Sequence, residues 1–233
     1  MDKKQVALEY LNKNQLLHAD MIDCINNNQA KIVYANNDGV VIYNLEGRVY
    51  CISLEKDADI ESILALCKRN RCSVIHQDFY YPLIKEKFKF KHKKECYQVV
   101  YTKPFPPQNQ YDFEIKPLTL DYVNFVFDNY SNRSSIRYIT DRIKSNSMFG
   151  AFSGNDIMGF IGVHDEGSMG MLEVMPEYRK KGVGYALEAF LISERLKNGH
   201  IPYAHIFTSN IASCNLQKKL GMEFADQIIS WVF

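Results

Sequence analysis

Leu172-Glu-Val-Met-Pro-Glu-Tyr-Arg-Lys-Lys-Gly-Val-Gly-Tyr-Ala-Leu187 decides how the C-terminal half of this 233-residue chain folds. Its first residues belong to an apolar run of strand character, Met169–Met175. Its last residues open a helical stripe of Val183, Leu187, Phe190 and Leu191 that stops at Asn198-Gly199. Between strand and helix lies R-x-x-G-x-G, from Arg179 to Gly184. Glycine allows backbone conformations closed to other residues and close approach of a ligand, while the uncapped helix N-terminus points amide hydrogens and a positive dipole end outwards. Arg179, Lys180 and Lys181 add cationic charge at the same place, which suits a diphosphate better than a single carboxylate. A tight structural turn with a solvated basic surface is the alternative reading. No third glycine makes it a dinucleotide fingerprint, and no Gly-Lys-Ser/Thr makes it a P-loop.

Working outwards, the C-terminal half reads as strand (Phe113–Ile115), helix (Leu120–Tyr130), helix (Ser135–Ser145) and a strand hairpin, Met148–Ser153 and Ile157–His164, turned by Ser-Gly-Asn-Asp. After the glycine turn and its helix come a strand at Tyr203–Thr208, a helix at Ile211–Leu220 capped by Asn210, and a last strand through Ile228–Phe233. Helices covering one mixed sheet are expected. The N-terminal half reads as two amphipathic helices parted near Asn12–Asn14, a meander at Lys31–Tyr34, Gly39–Asn44 and Arg48–Leu54, a helix capped by Asp57, a strand at Ser73–His76, a helix near Tyr80–Phe88 and a strand at Cys96–Tyr101. Three of the seven prolines fall in Tyr101–Tyr111, so a connector is placed at 104–110, between an N-terminal α+β domain at 1–103 and a second domain at 111–233.

Acidic and basic residues nearly cancel, 27 against 28, so no field favours nucleic acid or an anionic membrane. The lysines of Lys85–Lys94 alternate with Phe88 and Phe90 as a solvated face does. Polar residues stand where a signal peptide would be apolar, and no run reaches the length of a membrane span, so a cytoplasmic protein is expected. Six cysteines without CxxC or a His partner spacing argue against zinc and against a disulfide framework, and no metal is expected.

The quoted stretch resembles the central motif of the GNAT superfamily of acyl-CoA-dependent N-acyltransferases. Asn210-Ile-Ala-Ser-Cys-Asn-Leu-Gln-Lys-Lys-Leu-Gly-Met222 resembles that family's second block, an Asn followed eleven positions later by Gly and an apolar residue. The resemblance spans 111–233 and includes the order of elements. It implies a GNAT-like mixed, mostly antiparallel sheet flanked by helices, preceded by a smaller α+β domain, a degenerate half-copy of the same architecture. Ser213, Leu220-Gly221 and Trp231 lean towards the glycine N-acyltransferase-like branch and related bacterial acetyltransferases.

What the resemblance implies is an acetyl-CoA-dependent N-acetyltransferase acting on a primary amine of a small molecule or peptide in a ternary complex, with a homodimer as one assembly. Backbone groups of Leu172, Glu173 and Val174 would pair with the pantetheine arm and polarise the thioester carbonyl. Arg179, Lys180, Lys181, Gly182, Val183, Gly184 and Tyr185 would cradle the diphosphate, with Asn210 contacting the cofactor. An alkyl amine, with a pKa of about 10.4, is protonated at neutral pH and must lose a proton before it attacks. His205 and Glu173 are the candidate bases. Both also have structural readings, a strand imidazole bonded to a carbonyl and a salt-bridged carboxylate. Many family members protonate the departing thiolate with a Tyr seven residues after the Asn. Here that residue is Gln217, which cannot act as an acid, and Tyr185 or Tyr203 would have to substitute. His164, Glu166 and Ser168 are candidate acceptor-site residues, while Asp165 reads as an ordinary turn residue. A catalytically weak scaffold that binds acyl-CoA or a partner is the second reading, motivated by Gln217.

Overall fold

The computed structural model describes residues 2–68, 70–108, 110–132 and 134–233. Along the chain run α1 (Lys3–Leu11), α2 (Ala19–Asn26), β1 (Ala30–Asn36), β2 (Gly39–Asn44), β3 (Val49–Leu54), α3 (Ile60–Ala65), β4 (Ser73–Ile75), α4 (Tyr81–Phe88) and β5 (Lys93–Val100). Then follow β6 (Glu114–Pro117), α5 (Val123–Asn129), α6 (Ile136–Lys144), β7 (Met148–Ser153), β8 (Asp156–Val163), β9 (Met169–Val174), α7 (Val183–Lys197), β10 (Tyr203–Phe207), α8 (Ile211–Leu220) and β11 (Glu223–Val232). The caps follow the local chemistry. Asp59, not Asp57, starts α3, because it directly precedes Ile60 and its carboxylate accepts from Ser62 N at 3.2 Å. Asn210 caps α8 as expected, its Oδ1 accepting from Ser213 N at 3.1 Å.

The chain divides into two compact units, and the division is not sequential. The first contains residues to Val100 together with His205–Ser213 and Glu223–Phe233; the second contains Tyr101–Ala204 and Cys214–Met222. The 1–103 and 111–233 division read from the sequence is therefore redrawn. Backbone pairing is the reason: β11 lies antiparallel to both β4 and β5, with Ser230 opposite Ile75 and Ile229 opposite Cys96. Residues 104–108 of the expected connector belong to the second unit. Each unit has its own sheet.

In the first unit the seven-stranded order is β1-β2-β3-β4-β11-β5-β10, antiparallel throughout its described pairings except for β3 beside β4. The chain alternates apolar with turn chemistry here, and Ile52, Ile75, Ile84 and Tyr80 are buried together as its core. Full burial of an aliphatic or aromatic side chain contributes roughly 1.5–3 kcal/mol.

The second unit holds the antiparallel sheet β6-β7-β8-β9, with Val126, Ile139, Phe160 and Met171 in its core. β9 is an edge strand. Its register slips against β8: Glu173 faces Phe160 and Gly170 faces Gly162, so Met171 and Leu172 together oppose Ile161. That is a β-bulge, and Met171 takes the left-handed φ of 52° within it. Close approach of β8 to β9 depends on Gly159, since a Cβ there would lie 2.5 Å from the Glu173 carbonyl oxygen.

Candidate active site

In the second unit the bulged edge strand delivers the chain to the basic turn. Arg179 is extended, Lys180 has φ 61° and Gly182 has φ 83°, so left-handed residues bracket Lys181 and direct the backbone into a concave turn. Gly182 is the N-cap of α7. No side chain caps the helix and no acid lies in its first turn, which leaves the first-turn amide hydrogens to solvent or ligand. A Cβ on Gly182 would meet nothing within 4 Å, so the space over the turn is open. Gly184 is less demanding, because a Cβ there would touch Val174 at an ordinary 3.5 Å.

The cations of the turn differ in use. Lys180 and Lys181 are exposed, with Lys181 Nζ 5.7 Å from the Tyr178 ring centre. Arg179 instead turns back, its Nε donating to the Val174 carbonyl at 3.0 Å. Tyr185, in the first turn of α7, donates a long 3.5 Å bond to the Gln108 carbonyl. Leu172, Glu173 and Val174 are all partly exposed on β9. Glu173 Oε1 accepts from Ser131 N at 2.9 Å and from the Ser131 hydroxyl. Both bonds fall on one oxygen, leaving Oε2 outside them.

The three candidate acceptor residues do come together, at the turn joining β8 to β9. The Ser168 hydroxyl donates to Glu166, and the Tyr203 hydroxyl donates to the Glu166 carbonyl at 2.9 Å. The His164 ring lies on Gly170, where a Cβ would be 2.7 Å from Nε2, and its Nδ1 meets the Tyr138 hydroxyl at 2.9 Å. Burial lowers the His164 pKa to about 4, so its imidazole is neutral at pH 7. Burial, with the neighbouring Glu166 charge, raises Asp165 to about 6. Asp165 lies in the same polar cluster, its Oδ1 3.5 Å from the Tyr138 hydroxyl. Tyr138 and Arg142, whose guanidinium lies 5.9 Å from the Tyr138 ring centre, complete it, and neither was singled out from the sequence.

Gln217 is buried in the second unit and donates from Nε2 to Glu188 Oε1 at 2.8 Å. Glu188 Oε2 and Gln217 Oε1 are both buried without a hydrogen-bond partner. Burial pushes the Glu188 pKa up to about 7, against the lowering effect of the Gln217 bond. One proton on the carboxyl would serve both stranded oxygens, because an acid and a primary amide are complementary. Gln217 is thus a structural partner, and the position expected to hold an acid is closed.

His205 lies in the first unit, within a buried polar chain. Its Nδ1 accepts from Trp231 Nε1 at 3.1 Å, and its Nε2 meets Gln98 Oε1 at 2.8 Å. Indole nitrogen only donates, and the Gln98 amide nitrogen is already spent on the Leu16 and Leu17 carbonyls, so His205 is the neutral Nε2–H tautomer with its lone pair in use. It matches the strand imidazole of the structural reading more closely than a base waiting for a proton. Further along, the buried His76 ring meets the Ile52 carbonyl at 3.1 Å and Asp20 Oδ1 at 3.0 Å. Burial would raise Asp20, yet the His76 charge prevails and holds it at about 2. Asn210, also in this unit, commits its side-chain oxygen to the α8 cap.

Among the described residues no cluster of His, Cys, Asp and Glu side chains is placed to hold a metal, and no helix is long and apolar enough to cross a membrane.

Solved GNAT acetyltransferases share this fold. A GNAT-family acetyltransferase from Colwellia psychrerythraea superposes with a TM-score of 0.54 at 15% identity, covering 100% of this chain and 96% of that one. A GCN5-related N-acetyltransferase-like protein from Streptococcus suis gives 0.55 at 14%, covering 97% and 99%. A Drosophila protein determined by X-ray crystallography gives 0.67 at 19%, covering 83% and 73%. Within the chain, residues 150–232 match the family model described as FR47-like protein. No curated protein matches the sequence significantly.

Proposed function

We propose that the chain is an acyl-CoA-dependent N-acyltransferase that moves an acetyl group from acetyl-CoA to a primary amine of a small molecule or peptide. One observation carries this: a bulged edge strand runs through a left-handed, lysine-bearing turn into a helix with an uncapped N-terminus. Fit to the donor rests on the open space over Gly182, the bare first turn of α7 and the partly exposed Leu172 and Val174.

When bound, acyl-CoA supplies a thioester activated towards an amine nitrogen. The chain's part begins with Glu173. Anchored through Oε1 by Ser131, it offers Oε2 to the proton that the ammonium must lose. The Tyr203 hydroxyl is committed to the Glu166 carbonyl at 2.9 Å, and Tyr185 stands at the diphosphate turn, so the departing sulfur takes its proton from solvent. The neutral His164 and the carboxyls of Asp165 and Glu166 make the β8–β9 turn the proposed acceptor side.

A cytoplasmic location and the glycine N-acyltransferase-like branch remain part of this proposal on the sequence features given above. The commitment of Gln217 to Glu188 favours a second reading, a scaffold that binds acyl-CoA without turning it over. Incubation with acetyl-CoA and a panel of amino acids, polyamines, aminoglycosides and peptides, read by thiol release and product mass, separates the two. An acetylated amine establishes the transferase; thiol release no faster than hydrolysis with every amine, alongside CoA binding, leaves the scaffold.

A further inference from the structure

The near balance of charge over the whole chain hides a local excess. Residues 85–94 carry six lysines against one acid, Glu86, on a chain whose formal net charge is +1. They span the end of α4 and the start of β5, in the first unit. Phe88 and Phe90 turn inwards, each 5% exposed and stacked with ring centres 5.2 Å apart, while Lys87, Lys89 and Lys91 are exposed. The backbone that bears them is fixed. Lys89 closes α4 with a left-handed φ of 61°, and the Phe90 N–H donates to the Lys85 carbonyl at 3.1 Å. Lys91 and His92 N–H groups both donate to the Phe233 carbonyl, at 2.9 and 2.7 Å. Lys93 is spent on Asp78 and Glu95, at 2.6 and 3.1 Å. Among the described residues Lys85, Lys87, Lys89 and Lys91 make no ion pair.

Packing widens this surface. Leu64 of α3 shares a core cluster with Ile84 and Phe88 of α4, so the two helices lie side by side. Just after α3 comes the exposed Lys68, whose N–H donates to the Tyr50 hydroxyl at 2.9 Å, and the Tyr50 ring stacks on Phe88 at 6.1 Å. Two large apolar side chains stand bare on the same helix pair: Leu66 is 56% exposed, and Leu83, one turn before Lys87, is 37% exposed.

Three properties specify the partner. The cations are ammonium groups on flexible stems, without the planar fork that holds a single phosphate in a bidentate pair. Phe88 and Phe90 are buried, so the stretch offers single-stranded nucleic acid neither ring as a stacking platform. Exposed leucines beside the lysines suit insertion at the headgroup level of a bilayer, where clustered lysines gain from the negative surface potential. We propose that this face of the first unit docks the protein on an anionic lipid bilayer, with Lys68, Lys85, Lys87, Lys89 and Lys91 over the headgroups and Leu66 and Leu83 among them. This docking does not depend on the acyl-donor reading.

Co-sedimentation of the full chain with lipid vesicles tests it. Wild type is expected to sediment with mixed phosphatidylcholine–phosphatidylserine vesicles at low salt, to stay in the supernatant with phosphatidylcholine alone, and to be released as salt is raised. Each lysine near such a surface is worth about fivefold in partitioning, so K87Q/K89Q/K91Q should bind about a hundredfold more weakly. Leu83→Ser should weaken binding several-fold and keep the salt dependence. All four side chains are exposed, so thermal unfolding of the variants should match wild type, and the comparison of the two lipids needs no variant. Wild type that stays in the supernatant with mixed vesicles at low salt, or a triple variant that binds them as wild type does, would overturn the proposal. Capture by single-stranded RNA or polyglutamate without vesicle binding would overturn it equally and assign the lysines to a polymeric anion.

Discussion

Gln217 Nε2 donates to Glu188 Oε1 at 2.8 Å, joining α8 to α7 through two side chains that are 1% and 3% exposed. Burial raises the Glu188 pKa from 4.5 to about 7. A carboxyl whose folded pKa is raised stabilises the fold fully below its unfolded value, and the contribution is lost as pH rises through the folded one. Between pH 4.5 and 7 the cost is roughly 3 kcal/mol, at about 1.4 kcal/mol per pH unit. Urea unfolding of wild type and Glu188→Gln across this range should show wild type losing stability relative to the variant as pH increases. Parallel pH profiles for the two would show that Glu188 is not the titrating group.

His205 offers a contrast, because its tautomer is set by Trp231 on one side and Gln98 on the other. His205→Ala is expected to destabilise the first unit by about 1–3 kcal/mol, the cost of stranding buried partners. It should leave the shape of the kcat/KM pH profile unaltered. Loss of the neutral-pH limb of that profile would restore His205 as the base.

Glu173→Gln should lower kcat by about a hundredfold or more, the usual weight of a positioned base, with CoA affinity retained. The loss should shrink as pH approaches the amine pKa, where free amine no longer needs a base. Full activity of the variant at neutral pH would exclude the assigned role.

Much of this was legible in local sequence. The turn Arg179–Gly184, the Asn210 cap and the order of elements from β6 to β11 depend on residues a few positions apart, and they stand in the expected order, with β11 beginning at Glu223 and not at Ile228. The bulge was less visible. Its trace is a break in alternation at Met171-Leu172, but the second contribution is Gly159 on another strand. Glu188 escaped because a glutamate in a helix reads as solvated. A usable signal existed: Ala186, Ala189 and Ile192 extend the apolar stripe of α7 around the helix, leaving little face for water. The strand pairing that carries β11 into the first unit left no local trace, since a strand's neighbours are set by distant chain.

Gly159→Ala probes the bulge. With its added Cβ 2.5 Å from the Glu173 carbonyl oxygen, the strands must part, at a cost of about 1–3 kcal/mol and of the spacing that positions Leu172–Val174. Thermal unfolding and CoA affinity should both suffer. Gly184→Ala, whose Cβ would make only ordinary contacts, should fold as wild type. Equal stability of all three proteins would mean that the two strands do not approach so closely.

The most direct measurement is calorimetric titration of CoA into wild type and Gly182→Asp. Aspartate is among the few residues that tolerate the left-handed φ of 83°, so the variant should fold while placing a carboxylate where the diphosphate is assigned. Wild type is expected to bind CoA and the variant to bind it at least about tenfold more weakly, the equivalent of roughly 1.4 kcal/mol. Equal affinity in the two proteins, or no binding by wild type, would contradict the assignment of this turn as the acyl-donor site.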